Sequence, residues 1–342
     1  MAEAKKIKLS VLDQSPVRMG GTVEQALHET LQLAQLADRL GYTRFWVSEH
    51  HNTLGLAGSA PEVLIAHLAS HTRHLRLGSG GVMLPHYSAL KVAQNFRLLE
   101  ALYPHRIDLG IGCAPGTDRK TAALLNPYNQ FNEQDFIEQL MDLDRYLQDG
   151  IGTTEAAEVK VTPRSATTPE RWVLSSSGQS GVFAAHFGMG FSFAHFINPN
   201  GGPAMMHAYQ TRFTPSALLQ EPAGNVGIFV MCADTEEKAK ELQTCLDIMM
   251  LRIERGRGSG VPTYAEAQEA LQSISPEEEA RVIYNRQRMV SGTPEQVKAK
   301  LDALAWEYNV DELVLVTITH DFQDRLRSYE LLAEAYGLEE RG

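Results

Sequence analysis

The chain has 342 residues, 43% of them hydrophobic, and a net charge of -11. That length holds one large α/β domain or two smaller ones, and the acidic balance excludes a nucleic-acid or anionic-membrane surface, because both need clustered Lys and Arg. No stretch reaches the ~20 apolar residues of a membrane span, the terminus from Met1 to Lys8 is polar, and Cys113, Cys232 and Cys245 have no paired spacing, so a reducing, cytoplasmic setting is expected, without disulfides or a zinc site.

Ile7 to Leu12 is a short apolar run that predicts a strand. A loop with Pro16 and two glycines leads to Thr22, which opens a helix with Gln25 in the capping-box position, and Gly41 stops it. Thr43 to Val47 is the second strand. Pro61 starts a helix to about His71, Leu75 to Ser79 is a strand, Ser88 to Tyr103 a helix, and Ile107 to Gly112 a strand. Phe131 to Gln148 reads as a helix, and the polar stretch Gly150 to Arg171 as an excursion over the surface. Trp172 to Ser175 is a strand that runs into a serine-rich turn and a helix to about Phe187. Phe191 to Phe196 is a strand, Gly201 to Phe213 a helix, and Val226 to Cys232 a strand. Asp234 is read as capping the next helix, with Glu237 in the box position, and Thr293 opens another with Gln296. Leu313 to Ile318 is a strand, and Arg325 to Tyr336 is the closing helix.

Eight strands, each followed by a helix, mean parallel βαβ units, and eight suit a closed (β/α)8 TIM barrel. Residues 256–288, with a helix start at Ser275-Pro276-Glu277-Glu278, form an insertion before the last helix-strand pair. No Pro/Ser-rich linker splits the chain, so residues 1–342 are expected to be a single domain.

Glu49, His50 and His51 follow the second strand directly, which places them at the carboxyl-terminal mouth where barrels carry chemistry. Histidine exchanges protons near neutral pH, and Glu49 can orient or polarise it. Neighbouring residues leaving a strand point opposite ways, so one imidazole is expected to face the pocket. Adjacent histidines lack ligand spacing, and no metal is expected. His67 and His71, four apart, read as histidines on the outer helix ring. Gly78-Ser79-Gly80-Gly81 ends the third strand, where glycine lets backbone approach a ligand. Ser175 to Gly181 joins strand to helix with small residues, hydroxyls and free N–H groups, a seat for an anion such as phosphate. Gly110-Ile111-Gly112 does not continue to a dinucleotide fingerprint, since Pro115 stands where the third glycine belongs. Arg119 and Lys120 read as a solvated charge run, and Cys113 as a small packing residue at the mouth.

Four stretches together resemble the bacterial-luciferase-like flavin monooxygenase family. They are Phe45 to His51; Leu75 to Val82 with Leu84-Pro85-His86; Arg106 to Gly112; and Gly292 to Val297 with Asp311-Glu312-Leu313. The resemblance implies a (β/α)8 barrel that binds reduced flavin, usually FMN, at its mouth. It implies a catalytic role for the histidine at His50, a cis peptide at Gly80-Gly81 beneath the flavin ring, and a flavin phosphate held by Ser176, Ser177 and Gly178; Glu49 is read as supporting His50 as an acid/base group. Many relatives carry an arginine against that phosphate where this sequence has Cys113, and cysteine offers no bidentate, charged clamp. Arg119, Lys120 or the serine turn would then take over, or flavin would bind weakly.

The reading that follows is a two-component monooxygenase. Reduced FMN arrives from a separate reductase, and one oxygen atom passes from O2 to a small organic substrate. The alternatives are a deazaflavin-dependent hydride-transfer enzyme of the same family and a non-catalytic flavin-binding or partner subunit. A homodimer is expected from the resemblance.

Overall fold

Ten strands form one parallel sheet among the described residues: β1 (Lys8–Asp13), β2 (Arg44–Val47), β3 (Arg76–Ser79), β4 (Val82–Met83), β5 (Ile107–Gly112), β6 (Glu170–Ser175), β7 (Gly190–Ala194), β8 (Gly224–Cys232), β9 (Met289–Gly292) and β10 (Glu312–Val316). The computed structural model describes residues 6–129, 132–148, 159–256, 258 and 260–342. Met1 to Lys5, Phe131, Gly150 to Glu158, Arg257 and Ser259, all covered by the expectations above, lie outside the described residues. β10 pairs with both β1 and β8, so β1, β2, β3, β5, β6, β7, β8 and β10 close into an eight-stranded barrel. Helices such as Val23–Arg39, Pro61–Ser70, Ala89–Leu102 and Phe322–Tyr336 flank it. This is the predicted (β/α)8 TIM barrel.

Two short strands lie beyond the predicted eight. β4 continues the β3 edge and pairs with Ile111 and Gly112 of β5. β9 pairs with Phe229 to Cys232, the carboxyl-terminal half of β8, while β7 and β10 meet its amino-terminal half. A four-residue run with two apolar members carries too little periodicity to stand out. β9 follows segment 256–288, which contains helices Tyr264–Leu271 and Pro276–Asn285, each with a complete capping box. Val261 of this segment bridges to Arg18 in the loop after β1, so the segment walls one side of the mouth. The helix after β8 begins one residue later than the sequence suggests. Thr235 is its N-cap and accepts from Lys238 N–H, while Asp234 pairs with Arg327 at 2.8 Å. Either residue type makes a cap, and the arginine decides which one is available.

Strand alternation sorts the core into two sets. Leu9, Val11, Phe45, Val47, Leu109, Ile111, Phe191 and Leu315 join the cluster with the helices, whereas Leu12, Trp46, Trp172, Phe229, Val314 and Val316 form a second cluster. Trp46 and Trp172 meet edge to face, with centroids 5.5 Å apart, and fill the interior. β3 and β5 make room by being small. A Cβ on Gly110 would lie 2.0 Å from Ser79 O, so only glycine lets these strands approach.

Beneath the tryptophans the barrel is plugged by charge. Arg44 at the start of β2 reaches both oxygens of Glu312 (2.6 and 3.2 Å) and Asp108 Oδ2 (2.7 Å). Asp108 also accepts from Trp46 Nε1 (2.9 Å) and Arg76 Nη2 (2.6 Å), and Ser10 Oγ donates to Glu312 (2.6 Å). Arg44, Arg76, Asp108 and Glu312 stand at the amino ends of their strands, leaving the carboxyl ends for chemistry.

Candidate active site at the barrel mouth

Glu49, His50 and His51 leave β2 at the carboxyl-terminal rim, with Ser48 hydrogen-bonded through its N–H to Asp13 O at 3.1 Å. The two imidazoles go to different partners. His50 lies beside Ser48, Nδ1 to Oγ 3.1 Å, and its backbone N–H donates to Gly58 O at 2.9 Å. His51 Nε2 lies 2.8 Å from Glu49 Oε1. The support expected from Glu49 for His50 therefore goes to His51. Residues two apart in an extended segment share a side, and adjacent ones do not.

Glu49 is buried, with its side chain 0% exposed. Besides His51 it accepts Tyr87 O–H at Oε1 (2.8 Å), from the turn after β4, and Met83 N–H at Oε2 (2.9 Å), from β4 itself. Burial, then the Glu49 charge, raise the Tyr87 phenol well above its ordinary range, so it stays a donor. His86 stands edge-on to His51, centroids 5.5 Å apart, with Nε2 2.5 Å from Pro115 O. Sequence reasoning missed Tyr87 as a site residue and did not join His86 to the pair, since contact across separate loops leaves no local pattern.

Burial, and secondly the neighbouring His51, lower the His50 pKa to about 4. Its ring is neutral through the neutral range. An unfolded imidazole protonates near pH 6.5, so between about 6.5 and 4 the unfolded chain binds the extra proton and stability falls as pH falls. A histidine NMR titration is expected to place His50 near 4; a value near 6.5 contradicts the desolvation of its half-buried ring.

Glu49, His51 and His86 each offer one ligand atom, all within 4.8 Å of one another. Two ligands of a tetrahedral zinc stand about 3.3 Å apart, given bonds of about 2.05 Å. The 2.8 Å between Glu49 and His51 is a hydrogen-bond distance instead.

The Gly80–Gly81 peptide at the end of β3 is cis, as the resemblance implies. Added Cβ atoms would fall 2.7 Å from Leu12 Cδ1 and 2.8 Å from Gly110 O, so this turn packs directly on strand backbone and core. Across the rim, Ser175, Ser176 and Ser177 lead from β6 into helix Gly178–His186. Ser177 is the N-cap, yet among the described residues its side chain makes no cap hydrogen bond; its Oγ turns 3.1 Å to Ser175 Oγ. The first helical N–H groups are thus left for an anion, which fits a flavin phosphate. Cys113 is exposed at the end of β5, with Sγ 4.0 Å from Ser180 Oγ, beside this turn. Arg119 and Lys120 are exposed in the first turn of helix Arg119–Leu125, which Asp118 caps. His67 and His71 stay on the outer ring, His71 Nδ1 2.8 Å from His67 O. A groove of about 470 Å³ lies between Leu27 and Leu31 on one helix and Val63 and Leu64 on the next; it reaches Gly58, the acceptor of the His50 N–H, but not Glu49, His50 or His51 themselves. No helix among the described residues is long and apolar enough to cross a membrane.

The family model for luciferase-like monooxygenases matches residues 7–308. The uncharacterized protein YwcH of Bacillus subtilis is 49% identical over 332 residues, covering 96% of this chain and 99% of that one. The N-acetyl-S-alkylcysteine monooxygenase of the same organism is 36% identical, with 96% and 98% covered. Among solved structures, apo-MsnO8 superposes with a TM-score of 0.92 at 38% identity, covering 99% of this chain and 100% of that one. Two likenesses below 25% identity bear on the fold alone. The oxygenating constituent of a Pseudomonas putida 3,6-diketocamphane monooxygenase in complex with FMN gives a TM-score of 0.69 at 19% identity, covering 98% and 100%. An F420-dependent secondary alcohol dehydrogenase gives 0.66 at 11%, covering 97% and 99%. The chain belongs to the luciferase-like monooxygenase family.

Proposed function

We propose that the chain is a two-component flavin monooxygenase that takes reduced FMN from a separate reductase and inserts one oxygen atom of O2 into an organic substrate. The observation that carries this reading is the serine turn, whose helix start is left without a side-chain cap on the rim that also holds Glu49 and the histidines. Ser176, Ser177 and the N–H groups from Gly178 onward hold the phosphate. Cys113 stands beside them without a positive charge, which suits a cofactor that arrives and leaves as a diffusing substrate. Gly80 and Gly81 give the ring system a flat, side-chain-free floor. Bound reduced FMN supplies the oxygen chemistry. The protein orients it, excludes water and moves protons, with His50 as a neutral base at the rim. A relative's action on N-acetyl-S-alkylcysteines makes thioethers the first substrates to try. Exposed Val63, Leu98 and Leu102, 68%, 50% and 58% accessible on neighbouring helices, support the pairing of two copies.

The test supplies reduced FMN through a separate flavin reductase under 18O2, with a panel of thioethers and ketones. One labelled oxygen atom in the product, dependent on reduced FMN, is expected. Turnover only with a reduced deazaflavin under anaerobic conditions moves the assignment to hydride transfer. Absence of turnover with every member of the panel, together with no flavin binding, leaves the non-catalytic reading.

A further inference from the structure

Glu49 faces donors on every side. Tyr87 O–H and Met83 N–H fill one position on each oxygen, and His51 Nε2 takes a second on Oε1. With a buried carboxylate as its partner, Nε2 is the ring nitrogen that carries hydrogen, and Nδ1 is the nitrogen with the lone pair. The rest of His51 is pinned as firmly. Its N–H donates to Gly116 O at 3.4 Å, and its carbonyl accepts Thr117 Oγ1 at 3.1 Å. The side chain is 12% exposed, so part of the ring is accessible on the loop that leaves the carboxyl end of β2. The titratable groups around it are Glu49 and His50 on its own loop, His86 and Tyr87 on the turn after β4, and Asp118 after β5, the last held by Asn52 at 2.8 Å.

We propose that Tyr87 and Glu49 are positioning residues for His51, which makes its Nδ1 a second proton-accepting atom at the mouth beside His50. This rests on the monooxygenase reading for its role in turnover, and on geometry alone for the orientation of the ring. When an O–H or N–H of a molecule bound at the mouth breaks and leaves its electron pair on that molecule, the proton forms the Nδ1–H bond of an imidazolium whose other N–H still donates to Glu49. The same nitrogen returns it, so the ring ends each cycle unchanged. Tyr87 acts at one remove: its phenol fixes which way Oε1 points, and Oε1 fixes the imidazole. Adjacent histidines then divide the work by partner, one set beside a hydroxyl, the other tethered to a carboxylate.

The test has two arms. Long-range 15N–1H spectra of histidine-labelled protein without flavin, at about pH 8.5 where imidazoles are neutral, read the tautomer, with His51→Gln providing the assignment. His51 protonated at Nε2 is expected in the wild type, and a mixed tautomer in Tyr87→Phe and Glu49→Gln. In the second arm, steady-state turnover with reduced FMN is expected to show kcat lowered about 10- to 100-fold in Tyr87→Phe, with KM and flavin affinity unchanged. Glu49→Asp recovers part of the loss that Glu49→Gln causes. Wild-type His51 protonated at Nδ1 alone, or a Tyr87→Phe protein with unaltered tautomer and kcat, overturns the proposal. If the wild type itself turns nothing over, the monooxygenase reading falls, and the tautomer arm still decides the positioning.

Discussion

Asp108→Asn is expected to lower the unfolding free energy by about 3–5 kcal/mol, the scale on which breaking a buried ion pair leaves its partner uncompensated. Asp108 is fully buried and serves two arginines and an indole at once. Asparagine keeps the shape and removes the charge, so Arg44 retains only Glu312 as a buried partner and Arg76 loses its closest carboxylate. The expected loss is a large share of the ~5–15 kcal/mol that holds a typical domain folded. Denaturant unfolding measures it, with Asp311→Asn as the control. That carboxylate makes a half-exposed pair with Lys8 at 3.5 Å, and its removal is expected to stay within about 0.5 kcal/mol. Equal effects at the two sites contradict the plug.

The same network sets an acid limit. Burial alone raises the Asp108 pKa, but Arg44 and Arg76 outweigh it and hold the carboxyl below its ordinary value. A depressed folded-state pKa means stability that is present above the unfolded value near 3.9 and lost as pH falls through the folded one. The acid-side loss is therefore steeper in the wild type than in Asp108→Asn.

Ser177→Asp is expected to act with opposite signs on fold and function. Thr235 and Asp321 cap their helices with side-chain acceptors, whereas Ser177 makes no such bond. Aspartate there caps the free N–H groups and complements the helix dipole, raising the stability of the flavin-free protein by about 0.5–1 kcal/mol. It also occupies the phosphate seat with a like charge. Reduced FMN affinity is expected to fall about 10- to 100-fold, or roughly 1.4–2.7 kcal/mol. A flavin affinity that is unchanged while stability rises would place the phosphate elsewhere.

Much of the barrel was legible because its strands are apolar runs that end in glycine or polar loops. Gly41, Gly80-Gly81 and Gly112 mark boundaries that any parallel α/β reading finds. β9 escaped because it supports only half of β8, and a short strand with one partner needs no long apolar run. Helix Tyr264–Leu271 has a capping box at Thr263 and Glu266 and was legible in principle, inside a segment read only as an insertion. At the site, the serine turn is one local stretch, so its small residues and its helix start show in sequence. The Glu49 partnership is not local. Tyr87 lies 38 residues away and reaches Glu49 only once β2 pairs with β3 and β4 seats against β5. Charge and order along the chain suggested that Glu49 supports its neighbour His50. The extended backbone, which turns alternate side chains the same way, gives it to His51.

The most direct measurement is anaerobic equilibrium binding of reduced FMN, oxidised FMN and a reduced deazaflavin coenzyme to the wild type, repeated with Ser177→Asp. The two-component account predicts that reduced FMN binds most tightly and that the aspartate variant loses it. Preference for the deazaflavin, or binding of none of the three, contradicts that account.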